Sequence, residues 1–285
     1  MRILVFGASG LLGSFLLPHL ARSGHEVIAF RRRPGEAGDA RGLETQFARA
    51  IDEIRPQGVV NLIALTQVDA CEDDLAQASL LNAQVPEMLS RLLGRVPGSF
   101  LLHVSTDQLY GTAGPHPEED FHPLNVYALT KYHGEFPVLE RGGCVLRTNF
   151  FGRSLTSART SLSDWILGEV AKGAAVPVFD DVLFSPLGLH TLSRSIEALL
   201  VRRLPGLFNA GSAEQGLSKA EFAALLCRRL GLAGARLEPR SIDSLALRAP
   251  RPTDMRMRSA RLAEALAWPT PDIHEEIEHE YPAAH

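Results

Sequence analysis

Cysteine is scarce in this 285-residue chain, and the three present, Cys71, Cys144 and Cys227, lie far apart. An odd, dispersed set argues against a disulfide framework and fits reduced thiols, so a cytoplasmic protein is expected. No run of about 18 apolar residues occurs, which argues against a membrane-spanning helix. Positive charge is not in excess: 29 Lys and Arg against 33 Asp and Glu leave a net charge of −4, with no basic field for nucleic acid. None of the ten histidines forms a tight pair with Cys or Glu at zinc spacing, so no metal is expected. His274 and His279 sit in an acidic tail that reads as a solvated helix. Internal repeats and low-complexity tracts are missing. The apolar N-terminus lacks the continuity of a signal peptide, because Gly7, Gly10 and Gly13 interrupt it.

What the chain does have is a globular composition, 45% hydrophobic and 22% charged, and enough length for a large α/β domain with or without a smaller lobe. Its first segment, Ile3-Leu4-Val5-Phe6-Gly7-Ala8-Ser9-Gly10-Leu11-Leu12-Gly13, reads as a buried parallel strand, a tight turn and the start of a helix over 14–20. Gly7 and Gly10 let the backbone turn and approach a pyrophosphate, and Gly13 lets the helix sit close to the strand. The helix N–H groups and the positive end of its dipole then face the phosphates. A second strand over 26–30 ends at Arg31-Arg32-Arg33-Pro34-Gly35. An acidic residue in this region usually holds the ribose of NAD, whereas an arginine suits the extra phosphate of NADP. Arg31 therefore points to NADPH, with NADH left open.

Further along, a helix is expected over 43–55, a strand over 58–64, a helix over 69–93 and a strand over 99–106. Within the long helix, Leu75, Leu80, Leu81, Met88, Leu89 and Leu92 have core spacing. His103 reads as a hydrogen-bonded core histidine, whereas Ser105 and Thr106 fall at the strand's carboxyl end, the rim where such sheets bind ligands. Tyr127 and Lys131, four apart near a helix start, share one face. After a strand over 143–148 the strand–helix alternation loosens. Helices are expected over 161–172, 189–203 and 218–230, with short strands over 176–179 and 207–209. A doubly wound parallel sheet over 1–150, carrying a smaller mixed lobe over 151–285, follows. The helix over 189–203 is expected to return to the first domain.

Thr106, Tyr127 and Lys131 have the residue types that reduce a carbonyl beside a nicotinamide. A phenol can protonate the carbonyl oxygen once its pKa falls from about 10 toward neutrality. An ammonium about 4 Å away supplies at most about 4 kcal/mol, or three pK units, in an effective dielectric of 20. On that arithmetic Lys131 brings Tyr127 near neutrality, and the Thr106 hydroxyl orients the substrate oxygen.

Gly7-x-x-Gly10-x-x-Gly13, Ser105-Thr106-Asp107 and Tyr127-x-x-x-Lys131 together resemble the extended short-chain dehydrogenase/reductase superfamily. Val60-Asn61, Thr66-Gln67-Val68-Asp69 with Glu72, Pro123-Leu124-Asn125-Val126-Tyr127, Gly134-Glu135 and Arg251-Pro252 narrow the likeness to its dTDP-4-dehydrorhamnose reductase branch. The resemblance implies a Rossmann fold and an oxidoreductase of dTDP-rhamnose biosynthesis, acting on a nucleotide-sugar substrate with Thr106, Tyr127 and Lys131 as its triad. It also implies that Gly7, Ser9, Gly10, Leu11, Leu12 and Gly13 form the pyrophosphate turn. Ala64 and Thr66 would line the cofactor, Asp39 would contact adenine, and Lys131 would hold the nicotinamide ribose. Thr106, Asp107, Phe150 and Arg251 would meet substrate. The departures fall on that side: Leu65 and Gln108 stand where the family carries tyrosines, and Asp254 where it carries Asn.

The leading reading is an NADPH-dependent reductase of a nucleotide-linked 4-keto sugar. A nucleotide-sugar epimerase or dehydratase shares the triad but turns over without net oxidation of cofactor. A non-catalytic NADP-binding regulatory protein fits the altered substrate side. A homodimer is compatible with each of these readings.

Overall fold

The computed structural model describes residues 1–32, 38–156 and 159–282. Arg33, Pro34 and Gly35, expected at the end of the second strand, lie outside the described residues. Its first half alternates β1 (Arg2–Phe6), α1 (Leu11–Arg22), β2 (Glu26–Ala29), α2 (Ala40–Ile54) and β3 (Gly58–Asn61). The helices α3 (Val68–Asp73), α4 (Leu75–Ser79) and α5 (Val85–Leu93) follow, then β4 (Phe100–Thr106), α6 (Val126–Glu140) and β5 (Cys144–Thr148). The stretch expected as one helix over 69–93 is broken at Asp74, whose carboxylate leaves the helix to accept from Gln77 N at 2.8 Å. Leu75, expected in the core, opens the new helix and is exposed. Beyond it the chain widens into a π-helical segment, Leu80–Gln84.

The second half contains β6 (Phe150–Phe151), α7 (Leu162–Ala171), β7 (Ala175–Phe179), β8 (Leu183–Phe184), β9 (Leu187–Gly188) and α8 (Leu189–Arg202). It continues with β10 (Gly206–Ala210), β11 (Leu217–Ser218), α9 (Lys219–Arg229), β12 (Arg236–Arg240), β13 (Asp254–Met255), α10 (Ala260–Leu266) and α11 (Ile273–Glu280).

Six parallel strands form the central sheet in the order β10-β5-β4-β3-β1-β2. Its last strand, β10, comes from the second half and pairs with β5 from Gly206 opposite Cys144 to Ala210 opposite Thr148. On one face α1, α8 and α10 bury Leu12, Leu16, Leu192, Ile196 and Leu262; on the other α2, α5 and α6 bury Phe47, Met88, Leu89 and Val138. Such two-sided cover is what apolar strands in a parallel sheet require. From β1 the chain moves outward to β2, then crosses back to β3 on the other side of β1. This reversal opens a crevice at the carboxyl ends of β1 and β3, the general ligand position in open α/β sheets.

The lobe is built from small sheets, β12-β7 and β11-β8-β13, against α7, α9 and α11. The acidic tail differs from the solvated helix expected of it. α11 inserts Ile273 and Ile277 into the lobe core while His274 and His279 stay exposed. Glu276 and Glu280 are also buried, accepting from Gly188 N at 2.6 Å and His190 N at 2.5 Å. These N–H groups open α8 and lack helical acceptors, which makes them ready partners for carboxylate oxygens, although burial outweighs them at Glu276 and pushes its carboxyl up.

Candidate active site

The glycine turn ends at Gly10, the N-cap of α1, with no side chain capping the helix. The first intrahelical bond runs from Ser14 N to Gly10 O at 2.9 Å, so Leu11, Leu12 and Gly13 have no acceptor within the helix. Gly7 has φ of +80°, and a Cβ there would lie 2.7 Å from the Leu62 carbonyl carbon. At Gly13 a Cβ would lie 2.6 Å from Gly7 O. These two glycines thus set the approach of β1 to the chain beyond β3 and of α1 to the turn. The resulting cradle of uncapped amides fits a pyrophosphate, the anionic part of a dinucleotide.

The turn forms one wall of a cleft of about 720 Å³. Ala64 and Thr66 line it from beyond β3, Thr106 and Asp107 from the end of β4, and Tyr127 and Lys131 from α6. Phe150 lines the lobe side. α6 is placed by Asn125, whose Oδ1 accepts from Ala128 N at 2.9 Å while its Nδ2 donates to Pro250 O at 3.0 Å. That cap turns both Tyr127 and Lys131 inward, the lysine only 2% exposed. The π-helical segment helps the packing: Asn82 Oδ1 accepts from Leu65 N at 2.8 Å, its Nδ2 donates to Thr130 Oγ1 at 3.1 Å, and Gly134 packs against the Asn82 carbonyl.

The electrostatics of the phenol differ from the simple pair the sequence suggests. Burial pushes the Tyr127 hydroxyl above its ordinary range, outweighing a hydrogen bond with Thr106 that lowers it. Lys131 does not offset this, because its Nζ is turned to β4, donating to Val104 O at 2.7 Å and meeting His103 Nε2 at 3.3 Å. Burial pulls Lys131 itself down to about 8, against the opposing charge of Glu135. Glu135 is held by Arg147 at 2.7 Å and accepts from Ser105 Oγ at 2.5 Å, tying α6 to β4 and β5 beside the triad.

On the facing wall Asp107 is buried and accepts from Asn149 Nδ2 at 2.7 Å. Burial pushes its carboxyl up to about 6, opposed by the Asn149 bond and the charge of Lys219. Arg251 does not line the cleft; it donates to Asp69 Oδ1 and Ala249 O, each at 2.9 Å, bracing the 249–251 loop against α3. Its charge is nevertheless felt by Lys219. Asp39 caps α2, accepting from Gly42 N at 2.8 Å. Ser9 and Arg31 are solvent-exposed, Arg31 just past β2.

Three lining residues were given no role in the site from the sequence: Gln108, marked there only as a departure from the family, Asn149, and Arg159 before α7. Asn149 follows β5 directly and was open to the same rim argument as Thr106. Arg159 and the nearby Lys219 had no such signal, since only the docking of the lobe brings them to the sheet.

The model of a family described as the RmlD substrate binding domain matches residues 1–283. A dTDP-4-dehydrorhamnose reductase of Streptomyces griseus is 32% identical over 265 residues, covering 88% of this chain and 83% of the relative. A probable dTDP-4,6-dihydroxy-2-methyloxan-3-one 4-ketoreductase of Streptomyces antibioticus is 33% identical, covering 88% and 85%. The crystal structure of dTDP-4-dehydrorhamnose reductase from Bacillus anthracis, in complex with NADP, superposes with a TM-score of 0.88 at 22% identity over 98% of both chains. With the glycine turn and the Thr–Tyr–Lys group on one cleft and the match running nearly end to end, the chain belongs to the RmlD substrate-binding-domain family.

Proposed function

We propose that this protein is an NADPH-dependent reductase of a nucleotide-linked 4-keto sugar. The observation that carries the reading is the shared cleft of an uncapped glycine-turn helix with Thr106, Tyr127 and Lys131. Two relatives of similar identity are named for 4-keto reduction of different dTDP-linked compounds, which supports the substrate class rather than one sugar. Bound NADPH would supply the hydride for the carbonyl carbon. Tyr127 gives the carbonyl oxygen its proton, and its burial keeps the phenol protonated until that moment. Thr106 orients that oxygen, and Lys131 holds the ribose. The amides of Leu11, Leu12 and Gly13 hold the pyrophosphate with Gly7, Ser9 and Gly10 shaping the turn, and Ala64 and Thr66 border the cofactor. Arg31 meets the additional phosphate of NADPH, and Asp39 lies toward the adenine end. Asp107, Phe150 and, through the 249–251 loop, Arg251 form the substrate side.

In this reading residues 1–150 bind cofactor and 151–285 mainly bind substrate, although α8 and β10 belong to the central sheet layer. The exposed Phe121, Leu129 and Phe136 near one side of α6 favour a homodimer, and the reduced, buried thiols favour the cytoplasm. The test is consumption of NADPH across nucleotide-linked 4-keto sugars, with NADH and Tyr127→Phe as controls. Stoichiometric NADPH loss with at least one sugar, abolished in Tyr127→Phe while NADPH still binds, supports the reductase. Redox-neutral turnover argues for an epimerase, and tight NADPH binding without turnover for a regulatory protein.

A further inference from the structure

The segment over 111–124 joins the rim of β4 to α6, and within it lies His116, 1% exposed and with no part in the reaction described above. Its backbone pairs with the lobe: His116 N donates to Arg256 O, and its carbonyl accepts from Arg258 N, each at 2.8 Å. Its ring is stacked on Tyr110, with centroids 4.7 Å apart and planes 3° from parallel. Nδ1 is 2.9 Å from Asp120 Oδ2, and Nε2 is 3.2 Å from both Thr112 O and Asp254 O. A carboxylate and two peptide carbonyls have no hydrogen to give. If Nδ1 is bare, its lone pair faces the carboxylate; if Nε2 is bare, it faces two carbonyl oxygens in a buried site. A proton on each nitrogen satisfies all three partners at once. The Asp120 charge and the face of the Tyr110 ring offset the cost of burying that cation.

The two nitrogens hold different parts of the molecule. Nδ1 closes the loop on itself at Asp120, while Nε2 reaches across to the lobe at Asp254, the first residue of β13. The next residue, Met255, accepts through its sulfur from Gln108 Nε2 at 3.4 Å, and Gln108 lines the cleft. Gly114 N donates to Asp254 Oδ2 at 2.8 Å, and Pro250 O takes the Asn125 amide that caps α6. The lobe segment over 250–258 is thus tied to the loop that leads into the catalytic helix, with the His116 ring as its charged tie. Resting on the reductase reading, we propose that His116, protonated on both nitrogens, is a positioning residue that clasps Asp254 and so sets how the substrate lobe stands against Tyr127. Among the described residues, the charged and titratable groups around the ring are Asp120 and Glu118 on its own loop, Tyr110 with Arg147 of β5 bonded to it, and Asp254 with Arg256. Glu118 is turned to Asn209 N at 2.9 Å, and the Asp254 carboxylate is held by Arg256 at 2.7 Å. The Asp254 carbonyl, rather than its charge, is therefore what meets the imidazolium.

Two readouts need no substrate. A long-range proton–nitrogen correlation spectrum of the free protein at neutral pH should show both His116 nitrogens protonated; a bare nitrogen overturns the proposal. His116→Phe keeps an aromatic ring against Tyr110 but loses both donors, so amide hydrogen exchange over 254–258 should quicken about tenfold while β1 and β3 exchange as in the wild type. Unchanged exchange over 254–258 overturns the clasp. In turnover the same variant should raise KM for the 4-keto sugar about tenfold, with kcat and NADPH affinity little changed. An unchanged KM overturns the positioning role. Asp120→Ala keeps the test open if the phenylalanine variant does not fold, because Asp120 is half-exposed. It removes the charge that holds the second proton, so one ring nitrogen should become bare and KM should rise about threefold, a neutral bond to Asp254 O replacing a charged one. Two protons still on the ring, or a wild-type KM, overturns the proposal. Two ring protons in the wild type and quickened exchange in His116→Phe, with no turnover of any 4-keto sugar, would support the clasp and overturn the reductase reading instead.

Discussion

Glu135 and Arg147 form an ion pair of 2.7 Å with both side chains 2% exposed, one helical turn beyond Lys131. Arg147 also donates to Tyr110 Oη at 3.1 Å and Glu118 O at 2.9 Å, so its guanidinium is held on several sides. Removing one partner of such a pair strands a buried charge. Arg147→Met should therefore cost about 3–5 kcal/mol in urea unfolding. Adding Glu135→Leu should recover much of that loss; a single variant as stable as the wild type would contradict the account.

The proposed assignment makes Arg31, exposed beyond β2, the residue that sets cofactor preference. A guanidinium–phosphate contact contributes about 1.5–3 kcal/mol. Arg31→Ala should weaken NADPH binding about 10- to 100-fold in a fluorescence titration and leave NADH nearly unchanged. Equal losses for both would refute the assignment.

Gly13→Ala should damage the turn more than Gly10→Ala. The added Cβ at Gly13 would meet Gly7 O at 2.6 Å and Ala8 Cα at 2.7 Å, both backbone atoms, whereas at Gly10 the nearest approach is 3.3 Å. Overpacking of this kind costs about 1–3 kcal/mol. Thermal unfolding without cofactor should show the larger fall at position 13, with a matching loss of dinucleotide affinity.

Asp107 makes stability pH-dependent in a stated direction. Its carboxyl is raised from 3.8 to about 6, so the folded state holds the proton more tightly than the unfolded chain. That contribution is complete below about pH 4 and disappears as pH rises through 6, worth at most about 3 kcal/mol. Asp107→Asn should flatten this part of the profile. Denaturation midpoints of the two proteins across pH 4 to 8 would check it, and parallel profiles would sink it.

The first half of the fold was legible because apolar strands and helical spacing recur there in regular alternation, and Thr106, Tyr127 and Lys131 could be placed by rim position and helix spacing alone. The break at Asp74 was not, since Asp is tolerated in helices and only the bond to Gln77 shows that it stops one. Lys131 offers the sharper lesson. Helical spacing put it beside Tyr127 on one face, but its amine is taken by Val104 and His103, contacts made across the sheet that no local pattern encodes. The buried Glu276 and Glu280 escaped notice for the same reason, because their partners begin a helix more than 80 positions earlier.

The strand Gly206–Ala210 lies against Cys144–Thr148, and the residues between them build part of a separate core. During synthesis the growing chain must therefore carry an unfinished sheet, with one flank open to unwanted pairing, until the tenth strand has emerged. A fragment stopping short of it would keep that flank bare, so residues 1–150 expressed alone are a poor vehicle for studying nucleotide binding.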